Sequence, residues 1–193
     1  MRAPAAEFVC LVYAARLMMG AMSELRRVEM LGGDAVKIVG FLREIGLGVR
    51  LAALEGETFL PGVSLEPGGL VVDAEKLLYP GDLLHEAGHL AVMLPEVRRV
   101  AGPDVGIDMG DEIAAQCWSY AAAVHLGLAA EVVFHEHGYH DSAETLIGVY
   151  REGRAGVALL QWMGMTLEAK RAAEAAVPGW PSMKRWLRAD AEV

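Results

Sequence analysis

Apolar residues recur at helical spacing along most of this chain, and one short middle section breaks the rhythm. After Pro4, which suits the first turn of a helix, Val9, Val12, Leu17, Met18 and Leu25 follow one face until Gly32-Gly33 stops it. The Met-rich stretch Leu17 to Met22 reads as core rather than as a partner groove. A second helix, capped by Asp34 and stopped by Gly46, carries Ile38, Phe41, Leu42 and Ile45. The rhythm then shortens. Val49 to Leu54, Thr58 to Leu60 and Gly69 to Asp73 are brief apolar runs separated by Pro61-Gly62 and Pro67-Gly68-Gly69, the pattern of a small sheet.

Helical spacing returns in the run Tyr79 to Leu94, apolar almost all round and therefore buried. Asp82 is a candidate cap, with support of the polar groups one turn later as the alternative role, Pro80 suits the first position, and Pro95 ends the run. A loop with turn residues Gly102-Pro103 and Gly106 leads to a strong helix from Gly110 to Leu126, stopped by Gly127. The last third predicts short helices over 142–150, 156–163, 167–176 and 181–187, with Trp162, Trp180 and Trp186 pinning them to the core. No repeat, low-complexity tract or linker interrupts the chain. The expectation is one domain over 1–193, of α+β class, mainly helical with a small sheet beside the buried helix.

That buried helix carries unexpected polar groups: His85, Glu86 and His89, in the order HEAGH. Residues four apart share a helix face, so His85 and His89 can hold one metal ion, and Glu86 can reach a water bound to it. Two imidazoles and a carboxylate inside an apolar helix need partners, and a metal supplies them. This is the zincin arrangement, with zinc as the expected cofactor. An open catalytic zinc site takes a third protein ligand. Metzincins place Gly and His where this chain has Val92 and Pro95, so that class is excluded. A carboxylate from the following helix is the leading option, and Glu112 is the first candidate. Asp111, Asp108, Asp104 and a further His remain alternatives, and acids also favour first turns for the helix dipole alone.

Over about residues 79–126 the chain resembles gluzincin-type metallopeptidases, in which HExxH is followed by a second helix supplying a Glu ligand. The resemblance implies His85, His89 and Glu112 as ligands and Glu86 as general base in peptide hydrolysis. It also implies an edge strand able to pair with an extended peptide, for which Leu70 to Asp73 is the candidate. A donor facing the developing oxyanion is expected from the run Phe134 to His140, with Tyr139 first and His140 second. That run, with His135, His137 and His140, reads alternatively as a second metal-binding tract or an exposed loop. His125 is expected to be structural.

The net charge of −9 disfavours nucleic acid as a partner, because no basic stripe offsets it. Cys10 and Cys117 are far apart and carry no disulfide framework, which suits a reducing compartment. Glu7 and Arg16 break the first apolar run, so neither a spanning helix nor a secretory signal is expected, and a cytoplasmic location follows. The expected partner is a peptide or protein substrate. Alternative readings are a regulatory metal-binding protein that keeps the metallopeptidase fold, and a metal-dependent hydrolase of a small amide. The intact Glu86 favours catalysis, since a pure binding site has no use for a base.

Overall fold

The computed structural model describes residues 18–20, 22–104, 106, 108–138 and 141–190. Residues 18–20 and 22–30 are helical, while the expected helix start at Pro4, and Cys10 with it, lie outside the described residues. Met18, Met19 and Met22 are each more than half exposed, so these methionines face outward instead of joining the core as expected. Helix α1 (Gly33–Glu44) buries Ile38, Phe41 and Leu42, and Gly32 rather than Asp34 takes the capping position. It ends where Gly46 adopts φ 95°, which lets Leu47 N–H return to the Leu42 carbonyl at 2.9 Å.

The sheet has three strands, β1 (Gly48–Leu51), β2 (Val63–Glu66) and β3 (Gly69–Val72), in the order β1-β3-β2. β1 runs parallel to β3 and β2 antiparallel to it. Two expectations are corrected here. Thr58 to Leu60 is not a strand: Thr58 Oγ1 bonds the Leu60 carbonyl locally, and the Pro67-Gly68 turn instead folds Val63–Glu66 onto β3. Leu70 to Asp73 is not an edge either. β3 is central and all its residues are buried, so both its flanks are already paired. The edges are β1 and β2.

Helix α2 (Asp82–Val92) carries the HEAGH motif and packs against β2 and β3. Gly81 caps it, placing Asp82 inside the first turn, and the helix stops at Val92, before Pro95. Pro95 opens a single turn, α3 (Pro95–Arg98). From it the Arg98 guanidinium donates to the carbonyls of Leu90 at 2.7 Å, Met93 at 2.9 Å and Arg188 at 3.0 Å. Arg188 N–H adds a bond to Ala91 O at 2.8 Å. The open end of α2 is thereby closed by the turn that follows it and by one distant segment around Arg188. Arg98→Ala should destabilise the protein by about 2 kcal/mol through lost charged hydrogen bonds, read as a lower urea midpoint. An unchanged midpoint would refute the capping role.

Helix α4 (Met109–His125) lies along α2. Asp108 caps it, accepting from Gly110 N at 2.8 Å and Asp111 N at 3.1 Å. The helices approach closely because Gly88 has no side chain: a Cβ there would lie 2.6 Å from Ala115 O. Ser119, fully buried on α4, has its Oγ 2.9 Å from Leu84 O on α2 and 2.7 Å from Ala115 O. Helices α5 (Ala143–Arg151), α6 (Val157–Trp162) and α7 (Ala169–Ala175) follow.

Residues 181–187 do not form the expected helix. Their backbone bonds elsewhere: Lys184 N donates to Met165 O at 2.8 Å, and Trp186 O accepts from Trp118 Nε1 at 2.8 Å. Trp180 and Trp186 pack on the core, but Trp162 is 73% exposed and carries the Arg188 guanidinium on its ring instead of pinning a helix. His125 packs at a tilt against the Phe41 and Trp186 rings, with centroids 5.5 and 5.0 Å away. Cys117 is a buried free thiol. The architecture is α+β, and no described helix is long and apolar enough to cross a membrane.

Candidate metal centre

Helix α2 places His85 and His89 one turn apart, on the side where α4 passes. Their Nε2 atoms lie 3.3 Å from each other. Glu112, in the first turn of α4, reaches across: Oε1 is 3.6 Å from His85 Nε2 and Oε2 is 3.3 Å from His89 Nε2. The three ligand atoms lie within 4.8 Å of one another, and among the described residues this is the group that can hold a metal ion.

The chemistry of the donor set fits a cation. Burial, reinforced by nearby His89, pushes His85 down to about 4, so its ring is neutral at pH 7. A hydrogen bond with His89 holds the Glu112 carboxyl down at about 2, so it is ionised. Neutral imidazole and ionised carboxylate are the forms that ligate metals. Two imidazole nitrogens facing each other beside a carboxylate leave a place that a positive charge satisfies. The His side chains are 11% and 10% exposed and Glu112 35%, so the site opens to solvent on the α4 side.

Glu86 follows His85 on α2, and among the described residues it makes no hydrogen bond, although His89 acts on its charge through space. Burial is the main cause that pushes its carboxyl up to about 7, into the range of a base working near neutral pH.

The alternative carboxylates are placed elsewhere. Asp108 caps α4, and Asp104 Oδ1 accepts from Gly106 N at 2.9 Å. Asp111 is exposed and does not join the group. Tyr139 and His140, the expected oxyanion donors, lie outside the described residues. Within the described part of that run, His135 is tied to α2. Its Nε2 is 3.0 Å from the Oδ1 of Asp82, and its ring stacks on Tyr79 with centroids 3.9 Å apart. His137 and Glu136 are largely exposed. Asp82 thus anchors the His-rich loop to the start of α2, and its partner there, His135, lies too far along the chain for sequence position to reveal. The backbone carbonyl of Val132, which would sit 1.9 Å from a Cβ on Gly81, holds the same junction close.

No protein-family model, curated protein or solved structure matches the chain.

Proposed function

We propose that this protein is a zinc-dependent metallopeptidase, with His85, His89 and Glu112 as ligands and Glu86 as general base. The observation that carries the reading is the convergence of those three side chains beside the Glu86 carboxylate, which has no hydrogen-bond partner among the described residues. When bound, zinc supplies Lewis acidity towards a carbonyl oxygen and acidifies water. The rest falls to the chain. Glu86, mostly buried and unbonded, accepts a proton from the attacking water and returns it to the leaving amine. The two helices hold the groups in register through their contact at Gly88.

The substrate side of the proposal rests on β2 in place of the strand expected from sequence. β2 is an edge that packs on α2, and the register to β3 directs the backbone groups of Ser64 and Glu66 inward. Those of Leu65 therefore point along the open edge, where an extended peptide can pair. Methylating single backbone nitrogens of a cleaved peptide should raise KM roughly threefold to tenfold at alternating positions, the size of one net hydrogen bond. Uniform KM values along such a series would refute edge pairing.

The deciding experiment is metal analysis of the chain purified without chelators, followed by profiling against a quenched fluorescent peptide library. One zinc per chain and cleavage that stops on chelation are expected. A chain that retains no zinc overturns the metal reading. A fully loaded chain that cleaves no peptide overturns the peptidase reading.

A further inference from the structure

A buried tyrosine and a glutamine stand behind Glu112. Tyr150 on α5 is 3% exposed, and its hydroxyl donates to Gln116 Oε1 at 2.6 Å. Gln116, one turn after Glu112 on α4, donates from Nε2 to Glu112 Oε1 at 2.6 Å. The polarity of this chain is forced. An ionised carboxylate only accepts, so the amide must turn its nitrogen to Glu112 and its oxygen to Tyr150, and the phenol must donate. Burial pushes the Tyr150 phenol above its ordinary range, which keeps that proton in place.

We propose that Gln116 and Tyr150 are positioning residues for the metal: a two-bond relay that holds the Glu112 carboxylate towards His85 and His89 before any metal arrives. The inference rests on the metal reading of those three residues. Glu112 needs such support. It is the most exposed of the three, on a flexible stem, while the two imidazoles are held inside the α2–α4 contact. With Oε1 engaged by Gln116, Oε2 is the oxygen left facing His89. Tyr150 is itself immobile. Its ring stacks on Phe134 with centroids 5.3 Å apart, and its carbonyl accepts from Trp180 Nε1 at 2.8 Å. The relay therefore ties the ligand on α4 to the packed C-terminal part of the chain. Groups that orient a metal ligand set affinity through preorganisation, typically by tenfold to a hundredfold.

The test compares zinc dissociation constants of the full chain, measured by competition with a chromophoric chelator, for wild type, Gln116→Leu and Tyr150→Phe. Gln116→Leu should weaken zinc binding roughly tenfold to a hundredfold. Tyr150→Phe keeps the ring packing and loses one hydrogen bond, so a rise in Kd of roughly threefold to tenfold is expected. Cobalt(II) loaded in place of zinc should show altered visible absorption bands in both variants, a signature that loss of general stability does not produce. If Gln116→Leu does not fold, Tyr150→Phe decides alone. Zinc binding by wild type with variant Kd values within twofold and unchanged cobalt spectra overturns the relay only. A wild-type chain that binds no zinc overturns the metal reading and the relay with it.

Discussion

Glu86→Gln should remove hydrolysis and keep zinc. The amide is nearly the size of the carboxylate but accepts no proton at neutral pH, so kcat should fall by roughly 10²–10⁴-fold, the usual contribution of a positioned base. The substitution breaks nothing else, because Glu86 has no partner among the described residues. Turnover and bound zinc, measured on the same preparation, separate the two effects. Full activity in the zinc-loaded variant would rule Glu86 out as the base. The metal-free protein offers a second readout. Burial raises this carboxyl from its ordinary 4.5 to about 7. An acid with a raised folded pKa opposes folding once it ionises, so its cost grows between pH 4.5 and 7 and is complete above that. Metal-free Glu86→Gln should therefore melt above metal-free wild type at pH 8, and the gap should close towards pH 4.

Gly88→Ala should destabilise the protein and loosen the metal centre together. The new Cβ would sit 2.6 Å from Ala115 O and 3.0 Å from Ser119 Oγ, and the first of these is helix backbone that cannot turn away. Helices α2 and α4 must separate, at about 2–3 kcal/mol for an overpacked contact. In a chain of this size that is roughly 5–10 °C in melting temperature. Because Glu112 travels with α4, zinc affinity should fall as well. Gly40→Ala is the matched control. Gly40 lies in α1 with nothing within 4 Å of an added Cβ, so the same substitution should stabilise by about 0.5–1 kcal/mol through helix propensity. Equal effects at the two positions would show that close packing at Gly88 is not what holds the helices in place.

The two positions show how much of this protein can be read locally. HEAGH sits on one helix, so the spacing of His85 and His89 is a property of the α-helix itself, and their shared face follows from sequence. Gly88 is likewise visible in the motif, but the neighbour that it admits, the Ala115 carbonyl, is not. Glu112 is readable as a candidate third ligand, but so are Asp111, Asp108 and Asp104. The packing of α4 along α2 separates them, by bringing the Glu112 carboxylate to the imidazoles. The sheet shows the same limit. Turn signals marked the β2–β3 hairpin region, yet they could not say that a chain already paired on both sides would make β3 central and leave β2 as the edge. The unformed helix at 181–187 was misread because its backbone partners, Met165 O and Trp118 Nε1, lie far away in sequence.

Sequence alone therefore determined the α+β class, the helix bearing the motif, the chemical type of the candidate ligands and the carboxylate beside them, since each depends on residue type and helical or strand periodicity. Tertiary structure decided which carboxylate meets the two histidines, which strand is open, and that Asp82 grips His135 while Tyr150 and Gln116 stand behind Glu112. Those are contacts between segments tens of residues apart. Their geometry comes from helix packing and core volume, which no local pattern encodes.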